Sequence, residues 1–324
     1  MGGAPSLTGL RTLPQAAGGR RSIRDIEYAC HDKLSHRGNS SSRADCKRPP
    51  GRGTFAGMKI DGFSIETTPG GARKVGSFAA LVPQGTRVFI THLPDGALDD
   101  IVRTAARLAG AGMAPVPHIG ARHLESRAAL ERHLDALRSL GAREALLVGG
   151  DRSGPRGPFS EAGDLTGPAA ERFERLYFAG HPEEDRDAAL LAKIAAARTA
   201  GAEAAVVTQF VFEAEAVLNW VERIAGLGNT APIRVGLPGV ASPGALLKYA
   251  KMCGVGRSLR GLWRDGRLLR MAGRWTPAAP IAGLDKAPPA VEGLHFFPFG
   301  GFAETAAYLA EARQAPSERR WNQS

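Results

Sequence analysis

Gly62-Phe63-Ser64-Ile65-Glu66-Thr67-Thr68-Pro69 contains the first strand-like run of the chain, and the turn behind that strand decides between two α/β architectures. A doubly wound open sheet places a G-x-G-x-x-G turn behind its first strand, where backbone amides cradle a dinucleotide phosphate. Here the strand ends on a carboxylate and runs into Thr67-Thr68-Pro69, with no such turn. Seven further apolar runs come after it, at 87–91, 114–118, 144–149, 175–178, 204–209, 233–237 and 293–299. Helical patterns separate them. Residues 97–111 carry Leu98, Ile101, Val102, Ala105 and Leu108 at i, i+3, i+4 spacing, with glycines behind. Leu124, Leu130, Leu134, Leu137 and Leu140 repeat the device over 124–140, and further helices are predicted over 183–200, 213–227 and 302–313. Eight strands alternating with helices predict an α/β fold, a single-domain (β/α)8 TIM barrel over residues 58–315.

The 324 residues are 43% hydrophobic and 23% charged, the balance of a soluble globular protein. No apolar run approaches the ~18 residues of a membrane span. Three cysteines (Cys30, Cys46, Cys253) build no disulfide framework, so a reducing cytoplasm is expected. Of the net charge of +10, residues 1–57 hold +6, in a Gly-, Ser- and Pro-rich arm that reads as disordered. Nucleic-acid binding, a targeting peptide and a metal knuckle of Cys30, His31, His36 and Cys46 are the weaker readings of that arm. Met58 stands just before the first strand and is a natural start, so the basic extension need not belong to the native protein. Residues 316–324 read as a flexible tail. Neither a nucleic-acid nor a membrane partner is expected, and a homo-oligomer is left open.

A barrel carries its chemistry at the C-terminal ends of its strands. Those ends read Glu66, Thr91-His92, His118, Asp151, Tyr177 to His181, and Gln209. From Glu66 to Thr91, His118, Asp151, His181 and Gln209 the intervals are 25, 27, 33, 30 and 28 residues, one βα unit each. Polar groups arriving in phase with the unit length mark one rim. One open reading is a metal-dependent hydrolase or lyase with His118, Asp151 and His181 as ligands, although no paired motif such as H-x-H is present. Another is a non-catalytic binding or partner subunit on the same barrel.

Several of these segments carry a family resemblance. Val207-Thr208-Gln209-Phe210-Val211-Phe212-Glu213, behind Ala200-Gly201-Ala202, resembles the I-T-Q-x-F-F-[DE] strand end of methylenetetrahydrofolate reductases. Phe63-Ser64-Ile65-Glu66-Thr67-Thr68-Pro69 is similar to the family's S-x-E-x-x-P-P. Pro117-His118, Gly150-Asp151, His181-Pro182-Glu183 and Leu294-His295-Phe296-Phe297 resemble its P-H, G-D, H-P-E and F-H-F-Y, in order and at barrel spacing. The likeness runs from about residue 58 to about 313.

The resemblance implies an FAD-dependent oxidoreductase of one-carbon and methionine metabolism. It would reduce 5,10-methylenetetrahydrofolate to 5-methyltetrahydrofolate with hydride from NAD(P)H. Glu66 is then the acid that assists opening of the folate's five-membered ring, with a pKa raised by burial. Asp151 is the carboxylate beside the flavin, and Gln209 reads the pterin edge. Thr91, His118, Gly150, Asp151, Ala162, Tyr177 and His181 fall at FAD-contact positions. The chain departs from the family at Gly149, where an arginine is usual, and at Leu190 and Ala197, where polar FAD contacts are usual. It departs again at Ala241-Ser242-Pro243-Gly244 and at Pro298-Phe299-Gly300-Gly301, which implies weaker FAD retention.

Overall fold

The computed structural model describes residues 60–94, 96–252, 274–285 and 287–314. The basic extension, its Cys/His group, Met58 and the tail beyond 315 lie outside them. Eight parallel strands close into a barrel in sequence order, β8 pairing back to β1 through Ser64 and Ile65 with His295 and Phe296. They are β1 Ser64–Thr67, β2 Arg87–Ile90, β3 Ala114–Gly120, β4 Glu144–Val148, β5 Arg175–Gly180, β6 Glu203–Phe210, β7 Ile233–Pro238 and β8 Val291–Phe297. Each overlaps an expected run.

Helices wrap the outside: α1 Pro69–Lys74, α2 Leu98–Gly110, α3 Arg127–Ser139, α4 Thr166–Ala170, α5 Asp187–Thr199, α6 Ala214–Gly226, α7 Pro243–Met252, α8 Ala278–Gly283 and α9 Phe302–Gln314. α2 turns Ile101, Ala105 and Leu108 inward, and α3 does so with Leu130, Leu134 and Leu137. Each such leucine or isoleucine stabilises the wall by about 1.5–3 kcal/mol. α3 starts behind Ser126, whose hydroxyl accepts the Ala129 amide, and the chain turns away at Gly141 (φ +84). α5 begins at Asp187 rather than near 183, because a turn from His181 to Glu184 precedes it. The short α1, α4 and α8 and the ten-residue α7 are not predicted from the sequence.

Inside the barrel the side chains form tiers. Strand starts contribute charges. Arg87 grips Glu144 through two hydrogen bonds of 2.8 and 3.0 Å, and Arg175 reaches Glu203 and Glu292. Arg234, only 3% exposed, donates to Glu292 (3.2 Å) and to Ser64 Oγ (2.9 Å). Above this floor lie Phe89, Val116, Leu146, Tyr177, Ala205 and Val207. The next tier is the mouth. The β6–β7 register shifts between Val207 and Phe210, at the strand end that carries Gln209, and Thr208 Oγ1 there accepts the Gly236 amide.

Candidate active site

Strand alternation sends Ser64 and Glu66 to the barrel interior and Ile65 to the wall. Glu66 reaches the mouth near the end of β1 and is 8% exposed. Thr91, one residue past β2, donates its hydroxyl to Glu66 Oε1 at 2.7 Å. His118 Nε2 lies 3.4 Å from the same oxygen, and His295 Nε2 lies 3.9 Å from Oε2. Behind them, His295 Nδ1 and Ser64 Oγ are 3.0 Å apart, and Ser64 Oγ also accepts from Arg234.

This surrounding corrects the expected proton affinity of Glu66. Burial alone would raise its pKa, as the sequence suggests. The His295 contact, the two imidazoles and the Thr91 hydroxyl outweigh it and hold the carboxyl below its ordinary value. Burial also pushes His118 down to about 4 and lowers His295. The cluster at neutral pH is therefore a carboxylate between two neutral imidazoles.

A second cluster sits at the exits of β3 and β4. Asp151 projects from the rim with its side chain 40% exposed, and its Oδ1 lies 3.2 Å from His123 Nε2. The His123 ring packs on that of His92, centroids 4.2 Å apart. Burial, followed by the nearby His123 and His133 charges, pushes His92 down to about 3. Arg122 donates to the Gly150, Arg152 and Ser160 carbonyls and so pins the loop behind β4. Ala162 opens the short 3-10 turn Ala162–Leu165 beyond that loop. A third contact joins His181, at the exit of β5, to the Gln209 side chain.

The rim thus gathers Glu66, Thr91, His118, Asp151, His181 and Gln209 at one end of the barrel. Among the described residues no three His, Cys, Asp or Glu side chains stand where they could hold a metal ion. The metal-hydrolase reading of His118, Asp151 and His181 has no geometric support.

A sequence profile described as Methylenetetrahydrofolate reductase matches residues 88–257, just over half of the chain. The chain belongs to the methylenetetrahydrofolate reductase family. Among solved structures it is similar to an uncharacterized protein from Clostridium thermocellum that binds two copies of 5-methyl-5,6,7,8-tetrahydrofolic acid. The identity is 14%, the match covers 78% of this chain and 96% of that one, and the TM-score is 0.54. Dihydropteroate synthase from Thermus thermophilus is 15% identical, over 80% of this chain and 98% of that one, with a TM-score of 0.41. The first of these likenesses is one of fold.

Within the methylenetetrahydrofolate reductase pattern, three expected positions fall away from the mouth. Tyr177 is fully buried, four residues before His181 and so about 13 Å lower along the strand. Its hydroxyl donates to Glu144 on the charged floor, and burial pushes it up to about 12. It closes the barrel interior rather than lining the rim. Leu190 and Ala197 are buried in the core (3% and 0% exposed), because both lie on the inward stripe of α5 with Ile194. Ala197→Lys would place an ammonium in that core, so neither position is a route to a cofactor phosphate. Half-buried Lys193, on the same helix, and Arg186 just before it are the cations on this side.

Other parts of the site are not legible in the sequence. Ser64, and His295 as a partner of Glu66, emerge only when β8 closes on β1. His123 sits five residues past His118 with no periodic cue. Its sequence signal is indirect: Gly120 and Gly150, at neighbouring strand exits, leave space that His123 fills. An aromatic wall is also invisible to sequence reasoning. Phe299 stacks on Tyr249 at 4.1 Å and meets Phe210 edge-on, so aromatic surface comes from β6, α7 and the exit of β8 rather than from residues 241–244.

Proposed function

We propose that this protein is a flavin-dependent methylenetetrahydrofolate reductase, taking hydride from NAD(P)H through FAD to 5,10-methylenetetrahydrofolate and releasing 5-methyltetrahydrofolate. The observation that carries the reading is the buried Glu66 carboxylate at the exit of β1, held by Thr91, His118 and His295, on the rim that also presents Asp151.

The rim suits a polar heterocycle with an anionic tail. His181 Nδ1 and Arg152 Nε are buried polar atoms without a protein hydrogen bond, a costly state unless a ligand meets them. Thr91, His118, Gly150, Asp151, Ala162 and His181 would hold the flavin, with Arg152, Arg186 and Lys193 as the cations for its diphosphate. FAD, when bound, supplies hydride carriage between a nicotinamide nucleotide and the folate.

The chain's own residues manage a proton and a charge. Reduction consumes one hydride and one proton per folate, and the ring opens as its nitrogen is protonated. Glu66 is the group placed to deliver that proton. It is ionised in the free protein, so it takes up the proton as an uncharged pterin covers the mouth and strips water from the carboxylate. Thr91 orients one carboxylate oxygen while His118 and His295 limit where it can turn. The Asp151 carboxylate favours positive charge developing on the folate, and the Gln209 amide offers both a donor and an acceptor to the pterin edge. The same groups suit an enzyme of one-carbon metabolism; among the described residues no helix is long and apolar enough to cross a membrane.

The test is direct. Purified protein should carry or take up FAD, bleach anaerobically with NADH or NADPH, and recover its colour with 5,10-methylenetetrahydrofolate while forming 5-methyltetrahydrofolate. A protein that binds folate but neither retains nor accepts FAD would overturn the enzyme reading and leave a non-catalytic folate-binding subunit.

A further inference from the structure

His123 takes no part in the mechanism above, yet it is closely seated beside the rim. It ends the 3-10 turn Ala121–His123 behind β3, and its side chain is 4% exposed. Two missing side chains seat its ring. A Cβ on Gly120 would stand 2.7 Å from His123 Cδ2, and one on Gly150 would stand 2.8 Å from the same atom. A Cβ at either place would force the ring to shift, so glycine at both strand exits is what lets the imidazole fill the seam between them. The His92 ring backs it from β2. Wedged in this way, the ring aims Nε2 at Asp151 Oδ1, 3.2 Å away. A carboxylate only accepts hydrogen bonds, so Nε2 is the nitrogen that carries hydrogen.

We propose that His123 is the positioning residue of Asp151: a buried imidazole, set between Gly120 and Gly150 and backed by His92, whose Nε2–H fixes the direction of the exposed carboxylate. A half-exposed aspartate otherwise samples several rotamers, and a charge that acts on a bound ring is effective only when pre-aimed. The contact itself stands on the geometry; its consequence for hydride transfer rests on the role of Asp151 proposed for the reductase.

The experiment has two arms on the full-length holoprotein. In the first, imidazole nitrogen NMR follows the histidines of wild type and Asp151→Ala. The Nε2 signal of His123 should move while that of His133, which has no hydrogen-bond partner, stays; an unmoved His123 signal overturns the proposal. In the second, stopped-flow absorbance follows reduction of 5,10-methylenetetrahydrofolate by the reduced flavin. His123→Phe keeps a ring in the seam but removes the donor, and should slow reduction by between about tenfold and a hundredfold. His123→Gln restores an N–H at similar reach and should recover most of the rate. In the Asp151→Asn background His123→Phe should add nothing, and losses that multiply instead would overturn the proposal. If His123→Phe does not fold, Gly120→Ala displaces the ring without removing it, and its partial loss should likewise vanish in the Asp151→Asn background. If Asp151→Asn reduces at the wild-type rate, the role given to Asp151 falls, while the NMR arm still decides the contact.

Discussion

The two ends of the barrel are both polar, but they treat their charges in opposite ways. At the floor, Arg87, Glu144, Arg175, Glu203, Arg234 and Glu292 all have oppositely charged partners, and the Tyr177 hydroxyl is bound to Glu144. At the mouth, Nε of Arg152 and Nδ1 of His181 are buried with no hydrogen-bond partner. An unpaired buried polar atom costs about 1–3 kcal/mol, so the mouth carries several kcal/mol of unmet bonding that the floor does not. The contrast teaches where to look for chemistry. A network closed on itself stabilises a fold, whereas open valences of the same residue types await a ligand.

The largest effect expected is at the floor. Arg234→Met removes the guanidinium that joins Glu292, Ser64 and the Leu294 carbonyl at a site 3% exposed. Its loss leaves the Ser64 hydroxyl and the Leu294 carbonyl without their donor and Glu292 with Arg175 alone, at a combined cost of about 3–5 kcal/mol. For a domain of this size that lowers Tm by roughly 10 °C. Calorimetry checks it. A loss below about 1 kcal/mol would mean the floor is not the closed structural network described, and the contrast with the mouth would fail.

Glu66→Gln should separate the ends from the other side. The amide keeps the shape and the Thr91 contact but cannot deliver a proton. Flavin reduction by NAD(P)H needs no such proton and should change little. Reoxidation by 5,10-methylenetetrahydrofolate should fall by at least ~10²-fold, equivalent to about 2.7 kcal/mol of barrier. Thermal stability should fall slightly at neutral pH, since a carboxylate whose pKa folding lowers contributes stability in its ionised form. Single-turnover absorbance resolves both halves, and reoxidation at the wild-type rate would mean that another group is the acid.

What the sequence discloses follows the same division. Strand order and the rim residues Glu66, His118, Asp151, His181 and Gln209 are legible because alternation and unit length are local properties repeated eight times. The Glu66 environment is not, since His295 lies 229 positions away and meets it only on barrel closure. Burial of Glu66 can be inferred from sequence, but the donors that reverse its effect cannot. Tyr177 is misplaced when several residues near one strand end are given equal standing, although four residues span most of a strand. Leu190 and Ala197 are misplaced by counting positions without asking which face of α5 they share.

The smallest effect at neutral pH concerns a buried imidazole that belongs to neither end. His133 lies on the inward stripe of α3 among Leu130, Leu134 and Leu137, is 4% exposed, and has no hydrogen-bond partner on either nitrogen. Burial pushes it down from the usual 6.5 to about 4. The unfolded chain therefore takes up a proton at His133 that the folded protein refuses between those two values. Its contribution to stability is complete above about pH 6.5 and falls as pH drops toward 4, by about 1.4 kcal/mol per pH unit. His133→Leu removes both the unmet nitrogens and this proton linkage. It should stabilise the protein by about 1 kcal/mol at pH 7 and by about 2 kcal/mol more at pH 5. Urea titrations of both proteins at pH 7, 6 and 5 measure the difference. Parallel stability curves would show that His133 finds a partner in the folded wall, and unmet polar atoms would then be a property of the mouth alone.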